Sequence, residues 1–547
     1  MTGDMMGNAT ASNLFGRARR WAIALTQQKS VTGTDGEMSF GLWFANMLGA
    51  ETVFRDAKIW TIEIEPGDGR HCVAMLVRGA GRGTIVLTGH YDTVSTHDYG
   101  QLEDLATEPE QLTLALAKSL HMAETSAAQL AKTDLASGEF LAGRGLLDMK
   151  AGLAAGLAVC AEFADRVGPI GNLLFIAVPD EENNSAGARK AVQVLPEIAR
   201  EHDLDIGAAV NLDAIADDGD GRKGRVIALG TVGKLLPTVF VAGVPVHSGF
   251  PLNGLNAGAI AAAIAARIEW APELTDGSQA LPGTPPSLLS IRDGKAGYDV
   301  TTPATAFATF NVLSYRRAPD EVLERFDRLC LDAERDYRAQ LTRRIGSRRS
   351  DFIESIPLYR YEAVLGRLEA EAISKLDALS ASLATGLLSL PEQCRIVTEE
   401  AWKLSQLSGP AIITGFGSTP YLATSLSDMP IAARLRAVAS DIAAGSSARY
   451  GSAISCAEYF AGISDMSFFG EAASSGFDVV GRNTPMWRDG VRWPKTNGLA
   501  NIPTINIGPW GRDYHTPLER LHTGYAFDVL PRILRDVCEA LLNSTIR

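Results

Sequence analysis

Three unbroken apolar runs lie in the first 230 residues. A helical pattern lies between the first and second runs, and another lies between the second and third. The runs occupy residues 84–88, 173–178 and 206–212, and the helical patterns occupy residues 151–167 and 188–199. A strand that is apolar along its whole length is buried on both faces, and helices between such strands cover the faces of a parallel sheet. The sequence therefore predicts an α/β fold with a mixed, mostly parallel sheet flanked by helices.

The pattern changes from about residue 225 onwards. Strands and helices are predicted there in the order ββαββα, at residues 226–229, 239–244, 256–270, 287–292, 306–315 and 320–343. This order is typical of a smaller α+β domain with one antiparallel sheet. We therefore predict a larger α/β domain in two parts, residues 1–224 and 346–547, interrupted by an inserted domain at residues 225–345.

Three further segments complete this organisation. Apolar runs at residues 411–414 and 504–507 are expected to return as strands to the first sheet. Residues 97–141 form a polar, partly helical stretch that we interpret as a surface insertion.

Composition excludes several classes of protein. The net charge is −13, and no basic stripe is long enough for nucleic-acid binding. No apolar run approaches the 18 or so residues of a membrane span, and the first residues do not resemble a secretory signal. The six cysteines form no C-x-x-C pair, which favours thiols in a reducing compartment. We expect a cytoplasmic protein that binds neither nucleic acid nor membranes.

Polar residues able to bind metal occur in five segments, most of them at the ends of predicted strands. The segments are residues 88–92, 143–150, 178–182, 211–213 and 508–519. Ligands of open α/β sheets bind beyond the carboxyl ends of the strands, so these segments can converge. Two imidazoles and three carboxylates can hold two divalent ions, and one more carboxylate can act as a base on bound water. Nitrogen and oxygen ligands without thiolate favour zinc, with manganese or cobalt as alternatives.

Each segment taken alone also has a structural explanation, such as a surface turn, a solvated loop or a helix cap. In the last segment, His515 precedes Thr516-Pro517-Leu518-Glu519. This stretch has the cap, N1 and N3 residues of a helix start, so a helix is predicted there. The five segments together, in this order, are poorly explained by coincidence.

With these motifs the chain resembles a family of di-zinc amidohydrolases and exopeptidases. The motifs are GHYD at 89–92, GRGLLDMK at 143–150, PDEE at 179–182, NLD at 211–213 and GPWGRDYHTPLE at 508–519. The family includes carboxypeptidase G, succinyl-diaminopimelate desuccinylase and aminoacylase. The similarity extends over nearly the whole chain, and the chain is most similar to a longer branch of arginine-utilisation proteins.

The resemblance implies a role for each ligand. His90 and Asp213 would bind one metal, Glu182 and His515 would bind the other, and Asp148 would bridge the two. The family often has a non-proline cis peptide after the bridging aspartate, so we expect one between Asp148 and Met149.

The resemblance also implies the residues of catalysis. Glu181 would take a proton from the metal-bound water and deliver it to the leaving nitrogen, and Asp92 would orient the ring of His90. His247, in the motif VPVHSG, would polarise the scissile carbonyl, frequently from the partner subunit of a dimer. Asn256 follows in the same lid segment, and Arg316 or the adjacent Arg317 would bind a substrate carboxylate.

These roles together imply hydrolysis of an amide bond in a small N-acyl amino acid or short peptide, by metal-bound hydroxide with a glutamate general base. The inserted domain would then act as a lid and as the interface of a homodimer. A non-catalytic metal- or ligand-binding protein on the same scaffold is the alternative. A serine hydrolase is disfavoured because the chain has no Gly-x-Ser-x-Gly motif.

Overall fold

The structure is a computed structural model that describes residues 3–120, 125–217, 219–277, 282–346, 355–386, 388–460, 462–472, 476–494 and 498–543. The chain divides into two compact units. The first unit comprises Met1–Thr231, Thr424–Ala472 and Pro494–Arg547, and the second unit comprises Val232–Ala423 and Ala473–Trp493.

The first unit is built on fourteen strands among its described residues. They are β1 (Lys58–Glu63), β2 (His71–Arg78), β3 (Ala80–His90), β4 (Phe140–Ala142), β5 (Ile170–Val178), β6 (Asp205–Asn211), β7 (Ile215–Ala216), β8 (Val226–Ala228), β9 (Gly230–Thr231), β16 (Thr424–Ser425), β17 (Ser455–Ala457), β18 (Thr504–Asn506), β19 (Trp510–Arg512) and β20 (Arg520–His522). Eight of them form a mixed sheet in the order β1-β2-β5-β3-β6-β18-β8-β17. Its central strands β5, β3, β6 and β18 are parallel, as the apolar runs predict.

The first unit has nine α-helices among its described residues. They are α1 (Gly3–Gln27), α2 (Asp35–Ala50), α3 (Pro109–Ser119), α4 (Ser126–Ser137), α5 (Ala151–Ala164), α6 (Ala186–Glu201), α12 (Pro430–Tyr450), α13 (Met466–Phe469) and α15 (Leu530–Leu542). Helix α5 is rich in alanine and glycine and is buried on nearly every side. It packs between the sheet strands β2, β3 and β5 and the helices α1 and α15, which explains why its sequence is apolar all round.

The second unit has one six-stranded sheet. Its strands are β10 (Gly233–Leu235), β11 (Pro237–Ala242), β12 (Ser287–Asp293), β13 (Thr305–Ser314), β14 (Leu358–Arg360) and β15 (Ala411–Phe416). Its helices are α7 (Ala257–Ile268), α8 (Pro319–Ile345), α9 (Tyr361–Leu365), α10 (Ala370–Ala384), α11 (Leu390–Leu404) and α14 (Phe477–Asn483). The elements β10-β11-α7-β12-β13-α8 follow the ββαββα order, but β10 takes the place of the strand predicted at 226–229. The predicted fold class is confirmed.

Alternating residues of β11 face two different cores in this unit. Val239 and Val241 pack in a cluster with residues of α7 and α8, whereas Phe240 packs in a cluster with residues of α9 and α11. Successive side chains of a strand point to opposite faces of the sheet, so helices cover both faces. Helices α9 to α11 pack in the cluster that contains Phe240, on one face of this sheet. The unit therefore continues to Ala423, beyond the boundary predicted at residue 345.

Two predicted strands belong to different sheets from those expected. The run at 411–414 was expected to return to the first sheet, and this was wrong, because β15 pairs with β11 and β14 of the second unit. The run at 226–229 was assigned to the inserted domain, but β8 pairs with β17 and β18 of the large sheet. A fully apolar run indicates a strand that is buried on both faces, but it does not indicate which strand it pairs with. The run at 504–507 does return to the large sheet, as β18.

Among the described residues, none of the helices combines the length and apolar character that a bilayer crossing requires.

Candidate metal centre

Three predicted ligands follow neighbouring strands of the large sheet. Strands β5, β3 and β6 lie side by side and run in the same direction. His90 is the last residue of β3, and Glu182 and Asp213 come shortly after β5 and β6. The carboxyl ends of parallel strands meet at one edge, which brings these three segments together.

A second, small sheet gathers the remaining ligands. Its four strands have the order β4-β20-β19-β7. Asp148 follows β4, His515 lies in the loop between β19 and β20, and Asp213, already placed by β6, lies two residues before the start of β7. This sheet was not predicted, because strands of two or three residues leave no periodic pattern in the sequence.

The first donor group consists of His90, Asp148 and Asp213, whose ligand atoms all lie within 4.8 Å of one another. The Nε2 atom of His90 lies 3.2 Å from Oδ1 of Asp148 and 3.7 Å from Oδ1 of Asp213. Ligand atoms of a tetrahedral zinc site lie about 3.3 Å apart, given bond lengths of about 2.0 Å. The group therefore fits one divalent cation.

The second donor group consists of Asp148, Glu182 and His515. The Nε2 atom of His515 lies 3.1 Å from Oε1 of Glu182 and 3.2 Å from Oδ2 of Asp148. Asp148 thus presents one carboxylate oxygen to each histidine, the arrangement that a bridging ligand requires. The peptide bond between Asp148 and Met149 is cis, and this expectation is confirmed.

Asp92 contacts both His90 and the loop after β5. The Nδ1 atom of His90 lies 3.1 Å from the backbone oxygen of Asp92 and 3.6 Å from its Oδ1. A proton on Nδ1 leaves the Nε2 lone pair directed at the donor group. The two carboxylate oxygens of Asp92 accept hydrogen bonds from the backbone N–H groups of Glu181 and Glu182, at 3.1 and 3.2 Å.

Buried carboxylates outnumber the histidines at this edge of the sheet. Burial raises the pKa of Glu182 and of Asp213, and it raises the pKa of Glu181 well above its usual range. For His515, burial lowers the pKa, but hydrogen bonds to Asp148 and Glu182 outweigh this and raise it to about 10. Carboxylates buried this deeply are costly without compensating positive charge. The donor set therefore suits divalent cations.

Glu519 supports the loops of Asp148 and His515. It is fully buried, its Oε2 accepts a hydrogen bond from Nη1 of Arg144 at 2.7 Å, and its Oε1 accepts one from the backbone N–H of Gly145 at 2.9 Å. The helix start predicted at Thr516 was wrong, because this stretch forms turns before β20 and the Glu519 carboxylate binds Arg144 instead of capping a helix.

The ion pair between Arg144 and Glu519 was not predicted from the sequence. Its only signal is one arginine between two glycines and one glutamate after the histidine motif.

The predicted site residues His247, Asn256 and Arg316 lie in the second unit. His247 is exposed, and its Nδ1 accepts a hydrogen bond from the backbone N–H of Gly249 at 3.0 Å. Asn256 is the N-cap of α7, where its side-chain oxygen accepts from the backbone N–H of Ala259 at 3.3 Å.

Arg316 and Arg317 differ in their surroundings. Arg317 donates from Nη1 to the backbone oxygen of Glu273 at 3.0 Å, and its Nε lies 3.7 Å from a carboxylate oxygen of Glu321. Arg316 is exposed, and no carboxylate of the described part of the chain forms an ion pair with it. Its backbone is fixed by Asp276, whose Oδ2 accepts from the N–H of Arg316 at 2.7 Å. Of the two arginines, Arg316 has the guanidinium available to an external anion.

A mixed sheet with two adjoining nitrogen–oxygen donor groups at the carboxyl ends of its parallel strands fits the class of hydrolases that use two metal ions. The model of Peptidase family M20/M25/M40 matches residues 121–483 of the chain. The chain belongs to this family of hydrolases, and the family resemblance predicted from the motifs is confirmed.

Two curated relatives from Bacillus subtilis match nearly the full length. The uncharacterized protein YqjN is 30% identical over 537 residues, covering 95% of this chain and 96% of that protein. Protein RocB is 29% identical over 547 residues, covering 96% and 95%. Among solved structures, the di-peptidase Dug1p from Saccharomyces cerevisiae has the same fold, with a TM-score of 0.53, 12% identity, and coverage of 98% of this chain and 99% of that chain.

Proposed function

We propose that this protein hydrolyses an amide bond in a small N-acyl amino acid or short peptide, with two divalent cations and Glu181 as general base. The observation that carries the proposal is the position of Asp148, which belongs to both donor groups and offers one oxygen to each histidine. Membership of a peptidase family supports the class of reaction.

Each donor group would hold one cation. His90 and Asp213 are proposed to bind the first, Glu182 and His515 the second, and Asp148 both. No cysteine belongs to either group among the described residues, and the mixture of imidazole and carboxylate favours zinc, with manganese or cobalt as alternatives. Such a pair of cations activates water and polarises a carbonyl oxygen.

Glu181 is proposed as the base because it lies beside the donor groups without belonging to either. Its Oε2 is 3.9 Å from Nε2 of His90, and its side chain is 11% exposed. Burial raises the pKa of Glu181 well above its usual range, which makes its carboxylate a stronger base. In the proposed reaction the Glu181 carboxylate accepts a proton from the attacking water and then donates it to the leaving nitrogen.

His247 and Arg316 are proposed to recognise the substrate. Because Nδ1 of His247 accepts from Gly249, the proton of the neutral ring lies on Nε2, where it can stabilise the oxygen that gains negative charge. Arg316 is proposed to bind the substrate carboxylate, and the lack of a carboxylate partner among described residues supports this choice over Arg317. Asn256 is proposed to contact the substrate through its side-chain amide N–H, because its side-chain oxygen already caps α7.

Three further proposals concern the oligomeric state, the cellular location and the metabolic role of the protein. We propose a homodimer that forms through the second unit, where β12 and the following loop carry exposed apolar side chains, Leu289, Ile291 and Tyr298. The cytoplasmic location and the place in arginine utilisation stay predictions.

A chelation and reloading experiment tests the proposed function. The purified protein is stripped with a chelator, reloaded with zinc, manganese or cobalt, and assayed for amine release from a panel of N-acyl amino acids and dipeptides. We expect turnover that disappears on stripping and returns on reloading. Binding of panel members without amine release would instead support the non-catalytic alternative.

A further inference from the structure

The segment between β3 and β4 places one buried carboxylate against the His515 loop. Asp134 lies on α4 of this segment, with its side chain 10% exposed. Its Oδ2 accepts a hydrogen bond from Nε of Arg520 at 2.7 Å and lies 2.7 Å from Nη2 of the same guanidinium. Arg520 itself is fully buried. Asp134 therefore fixes the plane of a guanidinium that has no access to solvent.

Arg520 in turn connects the two ends of the loop that carries His515. Its Nη1 donates to Oδ2 of Asp513 at 2.5 Å and to the backbone oxygen of Leu518 at 2.9 Å. A planar guanidinium can reach both ends only in one orientation, and Asp134 sets that orientation from outside the loop.

The loop depends on such restraint because of its backbone conformation. Asp513 has a φ of 53° and His515 a φ of 62°, both in the left-handed region that non-glycine residues rarely adopt. Residues stay in that region only where surrounding contacts hold them. If the clamp by Arg520 is released, the loop relaxes, and the His515 ring moves away from Asp148 and Glu182.

We propose that Asp134, acting through Arg520, is a positioning residue for His515, and that helix α4 thereby holds the second donor group in place. The inference rests on the proposed function only in treating this group as a cation site. Oδ2 of Asp134 also lies 3.5 Å from Nε of Arg512 on β19. Among the described residues, Asp134 forms none of the hydrogen bonds that hold His90 or Asp213, so we expect its main effect at the second donor group.

Zinc titration of the metal-free full chain tests this inference. We expect Asp134→Ala to bind one zinc ion as the wild type does and to bind the second about 10–100-fold more weakly, the usual cost of losing a partner that orients a ligand. Asp134→Asn keeps an oxygen for the Nε proton and is expected to fall between the two. The matched control is Glu110→Gln on α3 of the same segment, because Glu110 pairs with Arg19 on the surface and both zinc affinities should stay unchanged.

Each outcome decides the matter. Two wild-type affinities in Asp134→Ala, or an equal loss at both sites, would overturn the inference, since a merely structural role weakens both together. If Asp134→Ala does not fold, the comparison uses Asp134→Asn and Arg520→Lys, and the same selective loss is required. If the wild type binds two zinc ions but hydrolyses no member of the panel, the proposed function is overturned. The zinc titration still decides whether Asp134 positions His515.

Discussion

Gly508 lies directly against the backbone of Asp213. A Cβ atom built on Gly508 would be 1.8 Å from the carbonyl oxygen of Asp213 and 2.4 Å from its carbonyl carbon. Asn506 strengthens this contact, because its Nδ2 donates to the same oxygen at 2.8 Å and its Oδ1 accepts from the backbone N–H of Asp213 at 3.1 Å. The chain after β18 therefore fixes the backbone of a candidate ligand.

Gly508→Ala is expected to displace Asp213 and weaken the first donor group. The clash is with backbone atoms, so side-chain rotation does not relieve it, and we expect a loss of about 1–3 kcal/mol in the free energy of unfolding together with weaker zinc binding. Urea denaturation and metal analysis measure both. Gly207→Ala on β6 is the control, since its added Cβ would be 3.6 Å from Ile431, an ordinary contact. Equal behaviour of the two variants would contradict the prediction.

Asp92→Asn is expected to reduce turnover while zinc still binds. The carboxylate accepts from the N–H groups of Glu181 and Glu182, and an amide has only one oxygen to accept with. We expect kcat to fall about 10–100-fold, because the loop after β5, which carries Glu181 and Glu182, loses its fixed position. Thr32→Val removes only the hydroxyl that donates to Oδ2 of Asp92 at 2.8 Å, and should cost less. A kcat within twofold of wild type for Asp92→Asn would exclude this role.

Zinc binding is expected to release protons at neutral pH. Without metal, hydrogen bonds to carboxylates overcome the effect of burial and raise the pKa of His90 well above its usual range and that of His515 to about 10. A metal ligand must be neutral imidazole, so each histidine loses its proton on binding, up to about two protons in all. Affinity should therefore rise with pH until both histidines have lost their protons, which for His515 is above about 10. Calorimetry in buffers of different ionisation enthalpy counts these protons, and a count of zero at pH 7 would rule out the protonated histidines.

The residues proposed as metal ligands could be selected from the sequence, whereas the contacts that hold them in place could not. His90 and Asp213 were found because long apolar strands end beside them, and such strands converge at one edge. The pairs Arg144–Glu519 and Arg520–Asp134 were missed because each joins residues hundreds of positions apart. A lone charged residue in a sequence is far more often a solvated surface residue than half of a buried pair.

The same limit applies to the fold. Hydrophobic periodicity identified the long buried strands β3, β5, β6, β11 and β13, since it reports burial. It assigned β15 to the wrong sheet because both sheets offer fully buried positions, and only pairing in three dimensions distinguishes them. Tertiary contacts also overrode the local helix signal at Thr516-Pro517-Leu518-Glu519, where the ion pair with Arg144 decides the conformation.

Arg316→Ala is expected to raise KM for substrates with a free carboxylate. A charge-assisted hydrogen bond of about 1.5–3 kcal/mol corresponds to roughly a 10–100-fold increase. Arg317→Ala is the control, because that guanidinium is bound to the backbone oxygen of Glu273 and its loss should affect stability more than KM. Amide-capped substrates should not distinguish Arg316→Ala from wild type. An unchanged KM for the free acids would exclude Arg316 as the anchor.

Glu181→Gln and Glu182→Gln separate the base from the ligand beside it. Glu182 lies 3.1 Å from the imidazole of His515, whereas Glu181 belongs to neither donor group. We therefore expect Glu181→Gln to bind two zinc ions with kcat reduced about 10²–10⁴-fold, since an amide cannot accept the proton of the attacking water. Glu182→Gln should instead lose the second zinc ion. Metal analysis of the two proteins, read beside their kcat values, distinguishes these failures. Wild-type turnover by Glu181→Gln would show that the proton goes to another group.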